Sequence, residues 1–103
     1  MKIGISIPNN WGAHDAGKLV DLAVRAETHG FASVWTSEHL VNLAYVRARI
    51  GDRPYFHPLA MLSAIASRTQ RIALGTSVLV LPFHHPLDVA KYIATLDQLS
   101  GGR

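Results

Sequence analysis

A glutamate and a histidine stand side by side where a short apolar segment ends, in the stretch VWTSEHL of residues 34–40. A carboxylate beside an imidazole can move protons or bind cations, because histidine titrates near neutral pH and the carboxylate carries a negative charge. An ordinary surface turn can have the same composition. A lone His39 is more often a solvated loop residue than a catalytic one, and Glu38 could simply pair with an arginine. The surrounding elements must decide between the two readings.

Three apolar segments predict β-strands, and three amphipathic segments predict helices that follow them. The strands are predicted at 2–8, 31–36 and 71–81. The helices are predicted at 15–30, at 58–69 and from 86 onward. The last strand is a nearly continuous apolar run, typical of a strand covered on both faces. Strands that alternate with helices predict an α/β protein with a parallel sheet.

The chain is too short for the fold that this alternation favours. A (β/α)8 barrel takes roughly 250 residues, and this chain has 103. We therefore predict that residues 1–103 are the N-terminal three βα units of a (β/α)8 TIM barrel, an incomplete barrel that stops before strand four. An open three-stranded sheet leaves bare edges. A chain of this kind is expected to be an inactive truncated fragment or remnant when it stands alone.

The polar residues that follow the predicted strands are candidates for a site, because barrel active sites lie at the carboxyl ends of the strands. They are Asn9 and Asn10 after the first strand, Glu38 and His39 after the second, and His84 and His85 after the third. Three of the six histidines thus fall on one side of the sheet, which suits proton transfer or anion binding. At least one of His84 and His85 could instead simply begin the helix that opens at Pro86.

Several kinds of site are disfavoured by what the sequence lacks. The chain has no cysteine, which excludes disulfides and thiolate metal sites and fits a reducing, cytoplasmic location. A metal site built on Glu38, His39 and a third ligand lacks the His-x-His spacing on one strand that favours zinc, so no metal site is expected. There is no G-x-G-x-x-G or Walker motif for a nucleotide.

Nucleic acid and membranes are not expected as partners. The formal net charge of +3 comes from basic residues that are scattered and form no basic helix face. The longest apolar run, 78–83, is far too short to cross a bilayer. A small-molecule substrate is the expected partner.

Several motifs, in order along the chain, resemble the luciferase-like monooxygenase superfamily. They are GFASVW at 30–35 leading to Glu38-His39, RIALGTSV at 71–78, Leu81-Pro82 leading to Pro86, and ATLDQLSGGR at 94–103. Within the superfamily, the sequences of these motifs most resemble those of the oxidoreductases that use the deazaflavin coenzyme F420. The resemblance covers essentially the whole chain.

The resemblance implies a flavin-type ring lying across the carboxyl end of the barrel. It assigns Glu38 and His39 to the lining of the ring, and it gives His39 the catalytic role of a general base or anion-stabilising group. It implies that Thr76, Ser77 and Val78 form a backstop behind the ring, in a strand bulge with a non-proline cis peptide bond at Ser77–Val78.

The activity that the resemblance implies is hydride transfer between an organic substrate and coenzyme F420. The alternative is a luciferase-like monooxygenase that uses FMN, since F420 enzymes commonly have aspartate where this chain has Glu38. The motif Phe83-His84-His85-Pro86 also occurs in FMN-dependent members of the family. Contacts to the cofactor phosphate lie mostly beyond the third helix in this family. Dimers are common in it, which leaves a homodimer open.

Overall fold

Three short strands and four α-helices make up the chain, and the computed structural model describes all residues from 1 to 103. The strands are β1 (Gly4–Ser6), β2 (Ser33–Thr36) and β3 (Ala73–Thr76). The helices are α1 (Ala16–Thr28), α2 (Ala44–Ile50), α3 (Pro58–Arg68) and α4 (Pro86–Ser100), with a 3-10 turn at Leu81–Phe83. None of these helices is both long and apolar enough to span a bilayer.

The strands pair in parallel in the order β1-β2-β3. In this register Ser33 lies beside Gly4 on one side and beside Ala73 on the other. Helices α1 and α3 pack against each other and against β2, and α4 packs against α3. A sequential strand order with the helices on one face is the arrangement of a barrel wall, whereas a doubly wound sheet reverses its order and is covered on both faces. The predicted α/β class with a parallel sheet is confirmed.

The hydrophobic core lies between the sheet and helices α1 and α3. Val34 of β2, Ala23 of α1 and Ile65 of α3 are fully buried in it. The helical spacing of Leu62 and Ile65 puts both on one face of α3, and both are buried. Burial of such side chains contributes about 1.5–3 kcal/mol each for the larger residues, so this layer holds the sheet on the helices.

The opposite face of the sheet is bare, and the indole of Trp35 lies across it. Trp35 is 41% exposed, and its N–H donates to the Ser33 hydroxyl at 2.9 Å. A Cβ added at Gly75 would come within 2.5 Å of the indole, and one added at Gly4 within 2.7 Å of its nitrogen. The two glycines therefore give the ring room against the backbones of β1 and β3. In a closed barrel this face would be the interior.

The third strand is shorter than predicted. It ends at Thr76, so the predictions of a strand to Leu81 and of cover on both of its faces were wrong. Val78 and Leu81 are 63% and 61% exposed. The Ser77 N–H still donates to the Thr36 carbonyl at 2.7 Å, and beyond it the run leaves the sheet, where the Val80 N–H donates to the Glu38 carboxylate at 2.7 Å. Apolar composition alone could not distinguish a strand from this crossing segment.

Helix α2 was not predicted within the long connection 37–57. Val46 and Ile50 lie four residues apart and are both buried, which is the spacing of one helix face. Gly51 follows with a φ of 65°, a conformation that glycine adopts at helix ends without steric cost. These two signals were present in the sequence, but the helix has only 7 residues, too few for a clear period.

Glu27 fastens the end of α1 to the start of β3. Its carboxylate accepts hydrogen bonds from the backbone N–H groups of Arg71 at 2.6 Å, Ile72 at 2.9 Å and Gln70 at 2.9 Å. Burial favours the protonated carboxyl, but these donors and the Arg71 charge together hold the pKa of Glu27 below its usual range. The charged carboxylate is therefore the form that stabilises this junction.

Replacing Glu27 with glutamine is expected to lower the free energy of unfolding at neutral pH by about 1 kcal/mol, after allowance for solvent screening. The pKa of Glu27 is lower in the folded state than in the unfolded state. Its stabilisation is therefore fully present above the unfolded pKa and is lost as the pH falls through the folded one. Urea unfolding of the wild type and the variant at about pH 7 and about pH 3 measures this difference.

The matched control is Asp21→Asn on the same helix. Asp21 makes only an exposed ion pair with Arg68 at 3.1 Å, and such pairs contribute little. If Glu27→Gln proved no less stable than Asp21→Asn at neutral pH, or if its deficit persisted undiminished in acid, the assignment of Glu27 would be refuted.

Candidate active site

Asn9 ties the carboxyl ends of β1 and β2 to the long connection. It is fully buried, and its Nδ2 donates to the carbonyl oxygens of Ser37 at 2.7 Å and Phe56 at 2.8 Å. Its Oδ1 accepts from the Ser37 N–H at 3.0 Å. Two of these hydrogen bonds fix the backbone of Ser37, immediately before Glu38 and His39, and the third joins Asn9 to Phe56.

The Glu38 carboxylate is buried and faces the segment after β3. Its side chain is 1% exposed, and its Oε2 accepts from the Val80 N–H at 2.7 Å. Its Oε1 lies 2.8 Å from His84 Nε2 and 3.9 Å from His57 Nε2. Glu38 thus joins the end of β2 to the segment after β3 and to the start of α3. Its predicted contact with a flavin-type ring stays a prediction.

His39 turns to a different set of neighbours, although it is adjacent to Glu38 in the chain. Its ring meets Tyr55 and Tyr45 edge-on, at centroid distances of 5.0 Å and 6.0 Å. The three rings line a cavity of about 70 Å³ together with Asn10, Trp11, Val46, Arg49 and Ile50. Sites for drug-sized ligands occupy about 300–1,000 Å³, so this cavity has room for a small group beside His39 but not for a tricyclic ring.

Tyr55 is a neutral phenol beside His39. Burial raises the pKa of Tyr55 above its usual range, and the charges of Tyr45 and Glu38 act in the same direction. Asn10 approaches the hydroxyl and offsets part of this rise, but no hydrogen bond of regular geometry joins them, and Asn10 Oδ1 is buried without a partner. The tyrosine keeps its proton at neutral pH, so it can orient the imidazole without adding charge.

The predicted backstop residues Thr76, Ser77 and Val78 lie at the carboxyl end of β3, next to the bare side of the sheet. With Ser6 and Trp35 they line an open groove of about 450 Å³, a volume within the range of ligand sites. The Ser77–Val78 peptide bond is cis, as the resemblance implied. The indole and the exposed Val78 side chain offer apolar contact to a planar ring. No basic side chain lines the groove, so a phosphate tail would need partners elsewhere.

The histidines after β3 separate into two roles. His85 is exposed and stands directly before α4, which matches the reading of a residue that begins a helix. His84 binds the Glu38 carboxylate, and His57 approaches the same carboxylate from the start of α3. His57 was not among the predicted site residues, because Glu38, His57 and His84 come from three separate segments and no local spacing indicates that these segments meet. The one sequence signal at His57 is its position directly before Pro58, which begins helix α3. That signal places His57 at the end of the connection but does not point to Glu38 or His84.

The comparisons with known proteins agree with this architecture. A family model described as luciferase-like monooxygenase matches residues 1–103. An F420-dependent glucose-6-phosphate dehydrogenase of Amycolatopsis mediterranei is 43% identical over 86 residues, which cover 82% of this chain and 24% of that protein. The chain spans about a quarter of the length of the curated relatives it matches.

Two solved structures share the fold. Monooxygenase RslO1 from Streptomyces bottropensis superposes with a TM-score of 0.76 at 33% identity, over 100% of this chain and 31% of that one. The oxygenating constituent of 3,6-diketocamphane monooxygenase from Pseudomonas putida, in complex with FMN, superposes with a TM-score of 0.72 at 26% identity. The match covers 99% of this chain and 27% of that one. The match to the family model over residues 1–103, together with the parallel sheet and these similarities, shows that the present chain belongs to the luciferase-like monooxygenase family.

Proposed function

We propose that the chain supplies the first three βα units of a (β/α)8 barrel that transfers a hydride between a small organic substrate and coenzyme F420. The observation that carries the choice of coenzyme is the 43% identity to an F420-dependent dehydrogenase. When bound, the deazaflavin supplies the hydride chemistry, and the protein supplies orientation and proton transfer. An alcohol or an activated alkene is the proposed substrate class.

The groove residues Thr76, Ser77 and Val78 are the proposed contact surface for one face of the ring. Their position at the end of the bare sheet face, beside Trp35, supports this. A ring held there would be oriented by the rigid strands rather than by a flexible loop. Orientation of the two reactants is itself a large part of catalysis by proximity.

His39 is the proposed proton acceptor. An alcohol that gives up a hydride from carbon must also lose its hydroxyl proton, and an imidazole nitrogen can accept that proton. The edges of Tyr45 and Tyr55 hold the ring of His39 between them. The small cavity beside these rings has room for a hydroxyl-bearing group.

The alternative is an FMN-dependent monooxygenase, and the FMN complex of the Pseudomonas putida neighbour is the observation that favours it. In that case His39 would stabilise negative charge that develops beside the ring.

A second alternative, of a different class, is a chain without activity of its own. It is favoured by the bare sheet face, where Trp35 is exposed, and by the outer edge of β3, which pairs with no further strand. Exposed apolar surface and free edges promote association with other chains.

Titration of the protein with F420 and, separately, with FMN tests these alternatives. We expect an absorbance change with F420 and weaker binding of FMN. Val78→Asp should abolish F420 binding, because it places a charge in the groove. Leu81→Asp is the matched control, since Leu81 is equally exposed but does not line the groove. Tighter binding of FMN would support the monooxygenase, and binding of neither would support the inactive chain.

A further inference from the structure

We propose that Glu38, His57 and His84 form a binding site for a zinc-type divalent metal ion, the Glu38–His57–His84 cluster. One donor atom from each residue lies within 4.8 Å of the other two. The three residues belong to three separate elements: the end of β2, the residue before α3, and the segment between the 3-10 turn and α4. They converge at the carboxyl edge of the sheet, where barrel enzymes place their chemistry.

The distances suit a metal ion after small side-chain movements. Zinc binds nitrogen and oxygen ligands at about 2.0 Å, so neighbouring ligands around it lie about 3.3 Å apart. Glu38 Oε1 lies 2.8 Å from His84 Nε2 and 3.9 Å from His57 Nε2, on either side of this value. The rings of His57 and His84 are perpendicular, with centroids 6.1 Å apart.

The charge balance around Glu38 also favours a cation. Its side chain is 1% exposed, and the two imidazoles are the only basic groups within ion-pair distance, with no lysine or arginine among them. A buried carboxylate is costly unless an opposite charge or a metal ion compensates it. The Val80 N–H holds Oε2 at 2.7 Å and leaves Oε1 directed at the imidazoles. Hydrogen bonds of this outer kind orient metal ligands.

The donor set selects the class of ion. Two imidazole nitrogens and one carboxylate oxygen suit zinc and its transition-metal neighbours, whereas magnesium and calcium prefer oxygen ligands alone. His57 is 46% exposed and His84 16% exposed, so the ion could enter from the His57 side and complete its coordination with water. The expectation of no metal site rested on the absence of two histidines on one strand, and this cluster does not use that spacing.

The proposed metal site and the proposed coenzyme groove can be tested independently. The Glu38–His57–His84 cluster contains none of the residues that line the groove. Metal binding can therefore be measured without any coenzyme, and the two proposals can fail separately.

Calorimetric titration of the metal-free protein with Zn²⁺ is the first test. We expect one equivalent to bind, and we expect His57→Gln to weaken binding by at least about tenfold. His85→Gln is the matched control, because His85 is exposed and lies outside the cluster. The proposal is overturned if the wild type takes up no stoichiometric zinc, or if the two variants bind zinc equally.

A second test needs no substitution and so does not depend on the folding of a variant. Paramagnetic Co²⁺ should broaden the ring signals of His57 and His84 in the NMR spectrum of the wild-type protein. The rings of His14 and His29, which belong to other segments of the chain, should stay sharp at the same cobalt concentration. Uniform broadening of all histidines would mean adventitious surface binding and would also overturn the proposal.

Discussion

Replacement of His39 by asparagine is expected to lower kcat by about 10²–10⁴-fold, the usual contribution of a general acid or base. Asparagine can fill much of the space of the imidazole between Tyr45 and Tyr55, but it cannot accept a proton at neutral pH. Coenzyme affinity should stay unchanged, because the groove of Thr76, Ser77 and Val78 does not include His39. Steady-state rates and a coenzyme titration on the same preparation measure both quantities.

His85→Asn is the control for the loss of a histidine near the carboxyl edge, and it should leave the rate unchanged. The proton-transfer role is refuted if His39→Asn keeps the wild-type rate. If His39→Asn instead abolishes coenzyme binding, His39 is a binding residue and the separation of the two sites is wrong.

Replacement of Glu38 by alanine is expected to destabilise the protein by about 2–4 kcal/mol. The carboxylate is the acceptor for the Val80 N–H and the partner of His84, and both would lose this partner at a partly buried position. The segment after β3 would lose its fastening to the end of β2. Urea unfolding followed by circular dichroism measures the loss.

Asp52→Ala is the matched control, because Asp52 pairs with Arg47 at 2.7 Å but is 85% exposed in its side chain. Exposed pairs contribute about 0–1 kcal/mol, so this variant should be close to the wild type. Equal stability of Glu38→Ala and Asp52→Ala would show that the buried pair does not hold the segment in place.

The sequence predicted the elements whose local signals agree with one another. Helix α3 has a proline in its first turn and an apolar stripe at Leu62 and Ile65, and both features point to the same helix. The run 71–81 carried only one signal, its apolar composition, and it continued past Thr76 after the backbone had left the sheet. The segment that follows the strand is held by Glu38, which is 42 residues from Val80, and no local pattern contains that information.

Several residues of the candidate site were predicted from the sequence, but the contacts among their side chains were not. The carboxyl-end rule found Glu38, His39 and His84, because each follows a predicted strand. It could not show that the side chains of Glu38 and His39 face different neighbours. That separation depends on where the long connection places Tyr45 and Tyr55, and on His57, whose position is fixed by tertiary packing and not by spacing.

The indole of Trp35, on β2, lies against glycines of the two neighbouring strands, Gly4 of β1 and Gly75 of β3. Its ring occupies the space that side chains at positions 4 and 75 would otherwise fill, so these three positions behave as one steric unit. A smaller residue at 35 would make room for alanine at 75, whereas alanine at 4 would also require the Ser33 hydroxyl to move, because that hydroxyl is the nearest side-chain atom to a Cβ at Gly4. Compensating substitutions at 35 and 75, and at 4 together with 33 and 35, are therefore the changes to expect among proteins that keep this sheet, and designers should exchange them together.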